Sequence, residues 1–461
     1  MKFGCKSLLA AGTAVVLTLS LSAPALAAET NGIAVQLDGA NVVFTDAVPE
    51  VLNQRTFLPF RAVFEAMGAK VDWSGNTVTA VRGDTKVTMT AGSTSATVQE
   101  GESSRTVTMD VAPYQKNNRT YVPVRFAAEA FGCNVGWDQA SQTVLILDPE
   151  NLIGDATFEI MNAAMAGQEK PTSNQEMEGD FTIRMDMGED GKYDMTGTVS
   201  GVSSQTAADM TMTMDLSALA DSMTAADLGV TEAQAAAMKD YLSDVLKDAS
   251  FEMRMDMAKG TCYFNVPVLA EFLAEQGVTE NTWYSLDLSS YGLAGLTAAQ
   301  TVTMESIMLD QMLTGTLDNA AVAQSLASTA RMYVGLFQDA AFTRSGDTYT
   351  ATYEGAQDGA AMKTTTVIRM NGDKLKDISM DMTMTAAGTT MAYDITASTA
   401  KVDMTMNMTE PTTGMTMDLT YTMNLSDTNK APQTSLPAGA QEVALEEVMA
   451  QLMGGMTPVA P

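Results

Sequence analysis

The chain has 461 residues, of which 56 are acidic and 26 are basic, and it contains no histidine, so its formal net charge is −30. Such an acidic chain is expected to repel polyanions, which excludes sequence-independent nucleic-acid binding and argues against docking on anionic lipid. The length and a hydrophobic fraction of 46% predict two or three domains with substantial cores.

The first 27 residues have the pattern of a signal peptide. Lys2 and Lys6 form a charged start, residues 8–21 an apolar middle, and residues 25–27 are the small residues expected at a cleavage site. We therefore predict cleavage near Ala27 and an extracytoplasmic protein, either secreted or associated with the cell surface. No later apolar run reaches the roughly 20 residues that span a bilayer, so we expect no transmembrane segment in the mature chain.

Residues 53–73 recur without a gap at residues 117–137. The recurring pairs include Arg55 and Arg119, Pro59 and Pro123, Arg61 and Arg125, Gly68 and Gly132, and Trp73 and Trp137. Each copy predicts a short strand, a helix that begins beside the proline and ends at the glycine, and a strand that contains the tryptophan. Such a unit usually buries its apolar face against its neighbour, so we predict a tandem repeat.

The repeated motif Arg-Thr-aromatic-x-Pro-x-Arg, with a helix ending in glycine and a Val-x-Trp strand, resembles a known family. It is similar to the copper amine oxidase N-terminal domain-like (stalk) repeats of envelope proteins in Gram-positive bacteria. The resemblance implies a small α+β module at the cell surface, which we place at residues 28–148. It does not imply amine oxidation, because a copper amine oxidase needs histidine ligands and a tyrosine-derived quinone, and this chain has no histidine.

The repeated arginines Arg61 and Arg125 have two interpretations. They could bind carboxylates or wall phosphates. Alternatively, each pairs with the repeated Glu65 or Glu129, which lies four residues further on at helical spacing. The sequence favours the second interpretation.

Residues 150–453 predict a methionine-rich α+β domain, followed by a flexible tail at residues 454–461. Methionine alternates with polar residues at 210–214, 253–257, 380–384, 404–408 and 415–417, which is typical of strands with one dry and one wet face. Turn sequences at 189–192, 371–374 and 387–389 separate these strands and predict an antiparallel meander. Helical patterns occur at 151–165, 232–247, 268–275, 304–317 and 320–337, and we expect these helices to cover the apolar side of the sheet.

The predicted fold class is therefore α+β, with N-terminal tandem α+β stalk-type repeats followed by a large curved antiparallel sheet with a helical lid. At the level of pattern, the second domain resembles the lipoprotein-carrier half-barrels of bacterial envelopes. This resemblance rests on the opening helix, the aromatic-led strand that begins at Trp283, and Leu436-Pro437 near the end of the sheet. It implies a hydrophobic cavity between the sheet and the helices.

The candidate ligand-binding residues are Met212, Met255, Met382 and Met406, which we expect to line that cavity and to hold an apolar small molecule. Two alternatives remain open. Methionine can simply fill the dry face of the sheet, or thioethers from neighbouring strands can converge on Cu(I). The spread of the runs over the whole sheet favours filling.

No catalytic arrangement is evident: a phosphate loop, a nucleophile elbow and a metalloprotease helix are all missing from the sequence. We therefore predict a secreted, non-enzymatic cell-envelope protein without cofactor or metal site, which binds a cell-wall component, an envelope protein or an apolar ligand. The alternatives are a structural or adhesive surface spacer and, less favoured, Cu(I) buffering. We expect Cys133 and Cys262 to be buried thiols in different domains, with a disulfide as the alternative.

Overall fold

The computed structural model describes residues 32–45, 47–168, 173–188, 191–223, 225, 230–274, 277–287, 303–314, 316–357 and 360–445. These residues form two compact units. The N-terminal unit contains the described residues of 18–161 and 302–340, and the sheet unit contains those of 162–301 and 341–461. The predicted signal peptide, its cleavage site and the predicted tail lie outside the described residues.

The described strands are β1 (Ala34–Leu37), β2 (Ala40–Asn41), β3 (Glu50–Leu52), β4 (Arg55–Pro59), β5 (Lys70–Ser74), β6 (Thr77–Arg82), β7 (Thr85–Thr90), β8 (Ser95–Glu100), β9 (Ser103–Thr108), β10 (Tyr114–Lys116), β11 (Arg119–Pro123), β12 (Asn134–Asp138), β13 (Thr143–Leu147), β14 (Asn174–Asp186), β15 (Lys192–Ser203), β16 (Ala207–Asp215), β17 (Ala249–Asp256), β18 (Thr261–Asn265), β19 (Thr282–Asp287), β20 (Phe342–Ser345), β21 (Thr348–Gln357), β22 (Ala360–Asn371), β23 (Lys374–Ala386), β24 (Thr389–Ser398), β25 (Lys401–Glu410), β26 (Met415–Thr428) and β27 (Gln441–Ala444). The described helices are α1 (Phe60–Ala66), α2 (Val124–Glu129), α3 (Pro149–Ile153), α4 (Glu159–Ala166), α5 (Ser217–Ser222), α6 (Glu232–Leu246), α7 (Leu269–Leu273), α8 (Met304–Thr314) and α9 (Ala320–Phe337).

The N-terminal unit contains three sheets, with strand orders β12-β13-β1-β2, β10-β11-β4-β3 and β5-β6-β7-β8-β9. The two sequence copies contribute corresponding elements: β4, α1, β5 and β6 from the first, and β11, α2, β12 and β13 from the second. Their first strands pair with each other in antiparallel fashion, with Leu58 opposite Val122, and both side chains are buried. Beyond the helices the copies diverge, because β5 and β12 belong to different sheets.

The helices of the two copies begin and end close to where the sequence predicts. Pro59 and Pro123 immediately precede the first helical residue of α1 and α2. Gly68 and Gly132 follow the helices with φ of 77° and 73°, a left-handed backbone that favours glycine.

Helices α8 and α9 belong to the N-terminal unit. The backbone N–H of Trp137 on β12 donates to the carbonyl of Leu317, in the link between the two helices, at 2.9 Å. The Asn134 side chain donates to the carbonyl of Met312 in α8, also at 2.9 Å. The domain division predicted from the sequence differs from this arrangement. It assigns the helical patterns at 304–317 and 320–337 to the second domain, as a cover for the methionine-rich sheet. The predicted helical lid is not confirmed.

The predicted helix at 151–165 is two helices, α3 and α4, because the chain turns at Gly154, where φ is 57°. The side chain of Asp148 caps α3 by accepting a hydrogen bond from the Asn151 N–H. This early cap explains why helix formation begins at Pro149 rather than later.

The sheet unit contains one sheet of 14 strands, in the order β20-β21-β22-β23-β24-β25-β26-β14-β15-β16-β17-β18-β19-β27. Neighbouring strands are antiparallel except for the last pair, β19 and β27. Two meanders, β20 to β26 and β14 to β19, are joined where β26 pairs with β14. The predicted large antiparallel sheet is confirmed, although the predicted turn at Glu189-Asp190 lies outside the described residues.

The alternation of methionine with polar residues corresponds to two different faces of this sheet. In β23, Met380, Met382 and Met384 are buried, whereas Asp381 and Thr383 are exposed. In β25 the pattern is weaker, because its methionines are only half-buried while the polar residues between them are exposed. We call the side that carries these methionines the methionine face and the opposite side the hydroxyl face.

Candidate functional site

The methionine face contains all four predicted ligand-binding residues. Met382 lies opposite Tyr393, which lies opposite Met406, which in turn lies opposite Leu419. Met382 and Met406 therefore share one row across the sheet, two strands and about 10 Å apart.

The other two predicted methionines lie in different rows. Met212 lies opposite Val199, and Met255 lies opposite Ala208. When each of the three rows is traced from strand to strand, it reaches β14 at a different position, and these positions are four residues apart. Neighbouring rows are therefore separated by about 13 Å. The register thus places the four side chains on one face without bringing them together at one point, and their role in binding stays a prediction.

Burial changes along the row that contains Met382 and Met406. Thr364, Met382 and Tyr393 are 0%, 6% and 9% exposed. Met406 and Leu419, further along the same row, are only half-buried. The methionine face is therefore closed at β22, β23 and β24 and partly open to solvent at β25 and β26.

Two buried hydroxyls lie on the closed part of this face. The Oγ1 atoms of Thr364 and Thr366 are buried and have no hydrogen-bond partner among the described residues. Buried polar atoms without partners are costly, so polar groups at this place are unusual in an apolar layer. A simple alternation pattern does not distinguish them from the exposed threonines of the sheet, and sequence reasoning missed them.

A groove with a volume of about 560 Å³ lies on the hydroxyl face of the sheet unit. Its lining residues are Asp180, Phe181, Thr182, Thr196, Gly197, Thr198, Thr213, Met214, Asp215, Lys247, Asp248, Thr420, Tyr421 and Thr422. None of the four predicted methionines lines this groove. Hydrogen bonds from Ser217 lower the pKa of the Asp215 carboxyl, so this groove residue is charged at neutral pH.

A carboxylate pair lies elsewhere on the hydroxyl face. Asp381 on β23 is directly opposite Asp394 on β24. The hydrogen bond with Asp381 raises the pKa of Asp394 to about 6, because two neighbouring carboxylates resist ionising together. The predicted turn at Ala387-Gly388 lies midway between the two residues, so counting back from that turn would have found the pair.

The repeated arginines make surface ion pairs in the N-terminal unit. Arg61 lies 3.7 Å from Glu65, and Arg125 lies 3.9 Å from Glu129, with all four side chains exposed. This confirms the favoured interpretation as helical pairs. Arg55, at the start of the first copy, makes a 2.5 Å ion pair with Asp110.

The equivalent tryptophans of the two copies have different surroundings. The backbone N–H of Trp73 donates to the Oδ1 atom of its neighbour Asp72, and the Trp73 side chain is exposed, at 44%. In the second copy, Gly136 replaces that aspartate, and the Trp137 N–H donates to the carbonyl of Leu317 instead. The backbone amide of Trp73 is therefore satisfied within its own strand, whereas that of Trp137 is satisfied by a segment that is distant in the sequence.

A buried ion pair joins the end of the second copy to the rest of the N-terminal unit. Arg82 on β6 pairs with Asp148 and also with Glu150, at 2.9 Å for the latter. The Asp38 carboxylate accepts from the Asp148 N–H at 2.7 Å, and burial raises the pKa of Asp38. Sequence reasoning missed this cluster, because its members are far apart in the chain.

The two described cysteines, Cys133 and Cys262, are free and buried, and they belong to different units. The expectation of two buried thiols is confirmed. Burial raises the pKa of both thiols, which makes them poor nucleophiles. Within the described ranges, no three His, Cys, Asp or Glu residues are grouped to hold a metal ion.

Comparison with known families gives a match over residues 36–146. The matching model is that of the copper amine oxidase N-terminal domain. Residues 36–146 are therefore similar to the copper amine oxidase N-terminal domain. This domain contains both copies of the repeat, which confirms the resemblance of this part of the chain. No curated protein sequence matches the chain.

Two solved structures are similar to the chain at low scores. A domain described as an outer membrane lipoprotein-sorting protein from Vibrio parahaemolyticus is 10% identical, with a TM-score of 0.19, and the alignment covers 61% of this chain and 94% of that domain. A LolA superfamily protein from Nitrosomonas europaea is 9% identical, with a TM-score of 0.19, over 59% of this chain and 94% of that protein. In the described part of the chain, no helix has the length and apolar character that crossing a membrane requires.

Proposed function

We propose that this chain is a non-catalytic, extracytoplasmic envelope protein that binds an apolar molecule on the methionine face of its sheet unit. The observation that carries this proposal is the change in burial along one row. Met382 is buried, whereas Met406 and Leu419 in the same row are half-buried. An apolar surface therefore continues from the closed core into a region where a ligand can reach it.

The chemistry of this surface suits alkyl chains. On β25, Met404, Met406 and Met408 all point to the methionine face, and Leu419 extends it on β26. Methionine side chains are flexible and polarizable, so they adapt to apolar ligands of different shapes. Covering about 200 Å² of such surface is worth roughly 5 kcal/mol before the entropic cost of binding is subtracted.

The location in the envelope is part of the proposal. It is supported by the signal-peptide pattern at residues 1–27 and by the copper amine oxidase N-terminal domain, whose repeats resemble those of envelope proteins. In this proposal the N-terminal domain contacts a wall component or an envelope protein, while the sheet unit holds the ligand.

The binding proposal is tested by titrating an apolar fluorescent probe into the full chain and into a Met406→Gln, Met408→Gln variant. We expect the variant to bind the probe at least about tenfold more weakly, because two polar amides replace thioethers on the binding surface. The matched control is Thr405→Gln, Asn407→Gln, which changes the same strand on the hydroxyl face and should leave affinity unchanged. Equal affinities of all three proteins would refute a binding role for this surface.

A second candidate function is that of a structural or adhesive spacer. The observation that favours it is the burial of the methionine face at β23, where Met380, Met382 and Met384 are core residues. A spacer would bind no apolar probe, and it would be recovered with envelope proteins through its surface alone. Probe binding that depends on Met406 excludes this function as the sole role.

A further inference from the structure

The groove on the hydroxyl face has a regular floor. Four adjacent strands, β26, β14, β15 and β16, each contribute two outward side chains in register. One row contains Thr420, Thr182, Thr196 and Asp215, and the next contains Thr422, Asp180, Thr198 and Thr213. Neighbouring positions are about 4.8 Å apart across the strands and roughly 7 Å apart along them.

One side of the groove is formed by the chain that follows α6. Lys247 and Asp248 come directly after this helix and line the groove. The helix is held in place by a hydrogen bond from the Leu216 N–H to the carbonyl of Leu246, at 2.9 Å. The groove therefore extends from the four strands of its floor to the two residues that immediately precede β17, which pairs with β16.

Part of the floor already has hydrogen-bond partners. The hydroxyls of Thr198 and Thr213 lie 2.7 Å apart, and the Thr422 hydroxyl donates to Asp403 at 3.0 Å. A second group makes no side-chain hydrogen bond or ion pair with any residue that the structure describes. Its members are Thr182, Thr196, Thr420 and Asp180. Three hydroxyls and one carboxylate at the centre of the groove are thus available to a ligand.

The charge of the groove is negative, since the carboxylates of Asp180, Asp215 and Asp248 face the single ammonium group of Lys247. Asp215 already accepts a hydrogen bond from Ser217 at 2.9 Å. Asp180 lies between threonines on the neighbouring strands β15 and β26 and makes no such hydrogen bond, so its carboxylate is available to a cationic donor.

We propose that this groove binds a hydroxyl-rich chain that carries protonated amines, of which an oligomer of glucosamine is the simplest example. The threonine hydroxyls can donate to and accept from sugar hydroxyls, and Asp180 pairs with an ammonium group. A basic peptide fits less well, because its side-chain stems need apolar surface, whereas Phe181, Met214 and Tyr421 lie in the row between the two floor rows and point to the methionine face. Every outward side chain of the floor is a threonine or an aspartate. The site lies on the opposite side of the sheet from the methionine face and is independent of the function proposed above.

The test is calorimetric titration of the full chain with a glucosamine oligomer, compared with the N-acetylated oligomer and a neutral glucose oligomer of equal length. We expect binding of the glucosamine oligomer only, weakened at least about tenfold by Asp180→Asn. Thr182→Val, Thr196→Val is expected to weaken it as well, because both lost hydroxyls face the ligand.

Glu354→Gln is the matched control, since Glu354 is an exposed carboxylate on β21 that pairs with Lys363 and lies outside the groove. It should bind as the unchanged chain does, and circular dichroism should show that all variants remain folded. Three outcomes would overturn the proposal: no binding of the glucosamine oligomer, equal binding of the neutral oligomer, or equal losses in Asp180→Asn and Glu354→Gln. The last outcome would indicate attraction of a polycation to the acidic chain as a whole.

Discussion

Asp381 and Asp394 lie directly opposite each other on β23 and β24 and share a hydrogen bond. Like charges in directly opposite positions destabilise a sheet, so the pair is most stable when one carboxyl keeps its proton. The pKa of Asp394 is accordingly raised from 3.8 to about 6 in the folded protein. A proton on this pair therefore stabilises the folded state relative to the unfolded one.

This pair predicts that the sheet unit loses stability as the pH rises. Below a pH of about 4 the carboxyl is protonated in both states, and between about 4 and about 6 only the folded state retains the proton, so stability falls across this interval and stays lower above it. Asp394→Asn should flatten this dependence. Denaturant unfolding at several pH values measures it.

The control for this prediction is Asp418→Asn, because Asp418 lies opposite Asn407 rather than opposite another acid. It should leave the pH dependence between 4 and 6 as it is in the unchanged chain. Parallel pH profiles for Asp394→Asn and the unchanged chain would contradict the assignment.

The Arg82 and Asp148 pair predicts a large loss of stability when only one partner is removed. Both side chains are nearly inaccessible, at 9% and 0% exposure. Arg82→Met leaves the Asp148 charge buried without its partner, which we expect to cost about 3–5 kcal/mol of unfolding free energy. Because the third tryptophan, Trp283, belongs to the sheet unit, fluorescence measured in a Trp283→Phe background follows Trp73 and Trp137 and thus the N-terminal unit.

Arg61→Met is the matched control for Arg82→Met, since Arg61 is 67% exposed and pairs with Glu65 on the helix surface. Exposed pairs of this kind contribute little, so we expect a change of no more than about 0.5 kcal/mol. Similar losses in the two variants would show that the Arg82 pair is not a buried anchor.

The difference between Gly136 and its counterpart Asp72 predicts how α9 is held. A Cβ atom at Gly136 would overlap the carbonyl oxygen of Leu317, so Gly136→Asp should displace the segment that leads into α9. Hydrogen exchange in α9 is expected to become faster. The reverse change, Asp72→Gly, should leave α9 unaffected, and slow exchange in both variants would disprove this docking.

The burial gradient on the methionine face predicts unequal costs for two similar substitutions. Met382→Ala removes a buried side chain and should cost about 2–5 kcal/mol. Met406→Ala changes a half-buried side chain and should cost less than half as much, because water already reaches it. Equal losses in unfolding free energy would mean that the face is equally closed at both positions.

Local patterns in the sequence were sufficient to predict several elements. The period of two in residues 380–384 placed β23 and its buried methionines, because strand side chains alternate between faces. The apolar spacing at 320–337 gave the bounds of α9. These predictions depend only on neighbouring residues, which is why they succeeded.

The packing partners could not be predicted in the same way. The amphipathic pattern of α9 shows that one side is buried but not which sheet buries it, and the contacts of α8 and its following link with β12 involve residues about 180 positions apart. The parallel pairing of β19 with β27 is equally non-local. For the candidate site, alternation placed Met212 and Met406 on one face, whereas their different rows depend on the register of several strands.

Native mass spectrometry of the chain purified from its own host can detect the apolar molecule that the sheet unit is proposed to bind. We expect a population heavier than the polypeptide by a fixed mass, which organic extraction removes and which the Met406→Gln, Met408→Gln variant does not retain. A single species at the mass of the polypeptide alone, in repeated preparations, would contradict the claim.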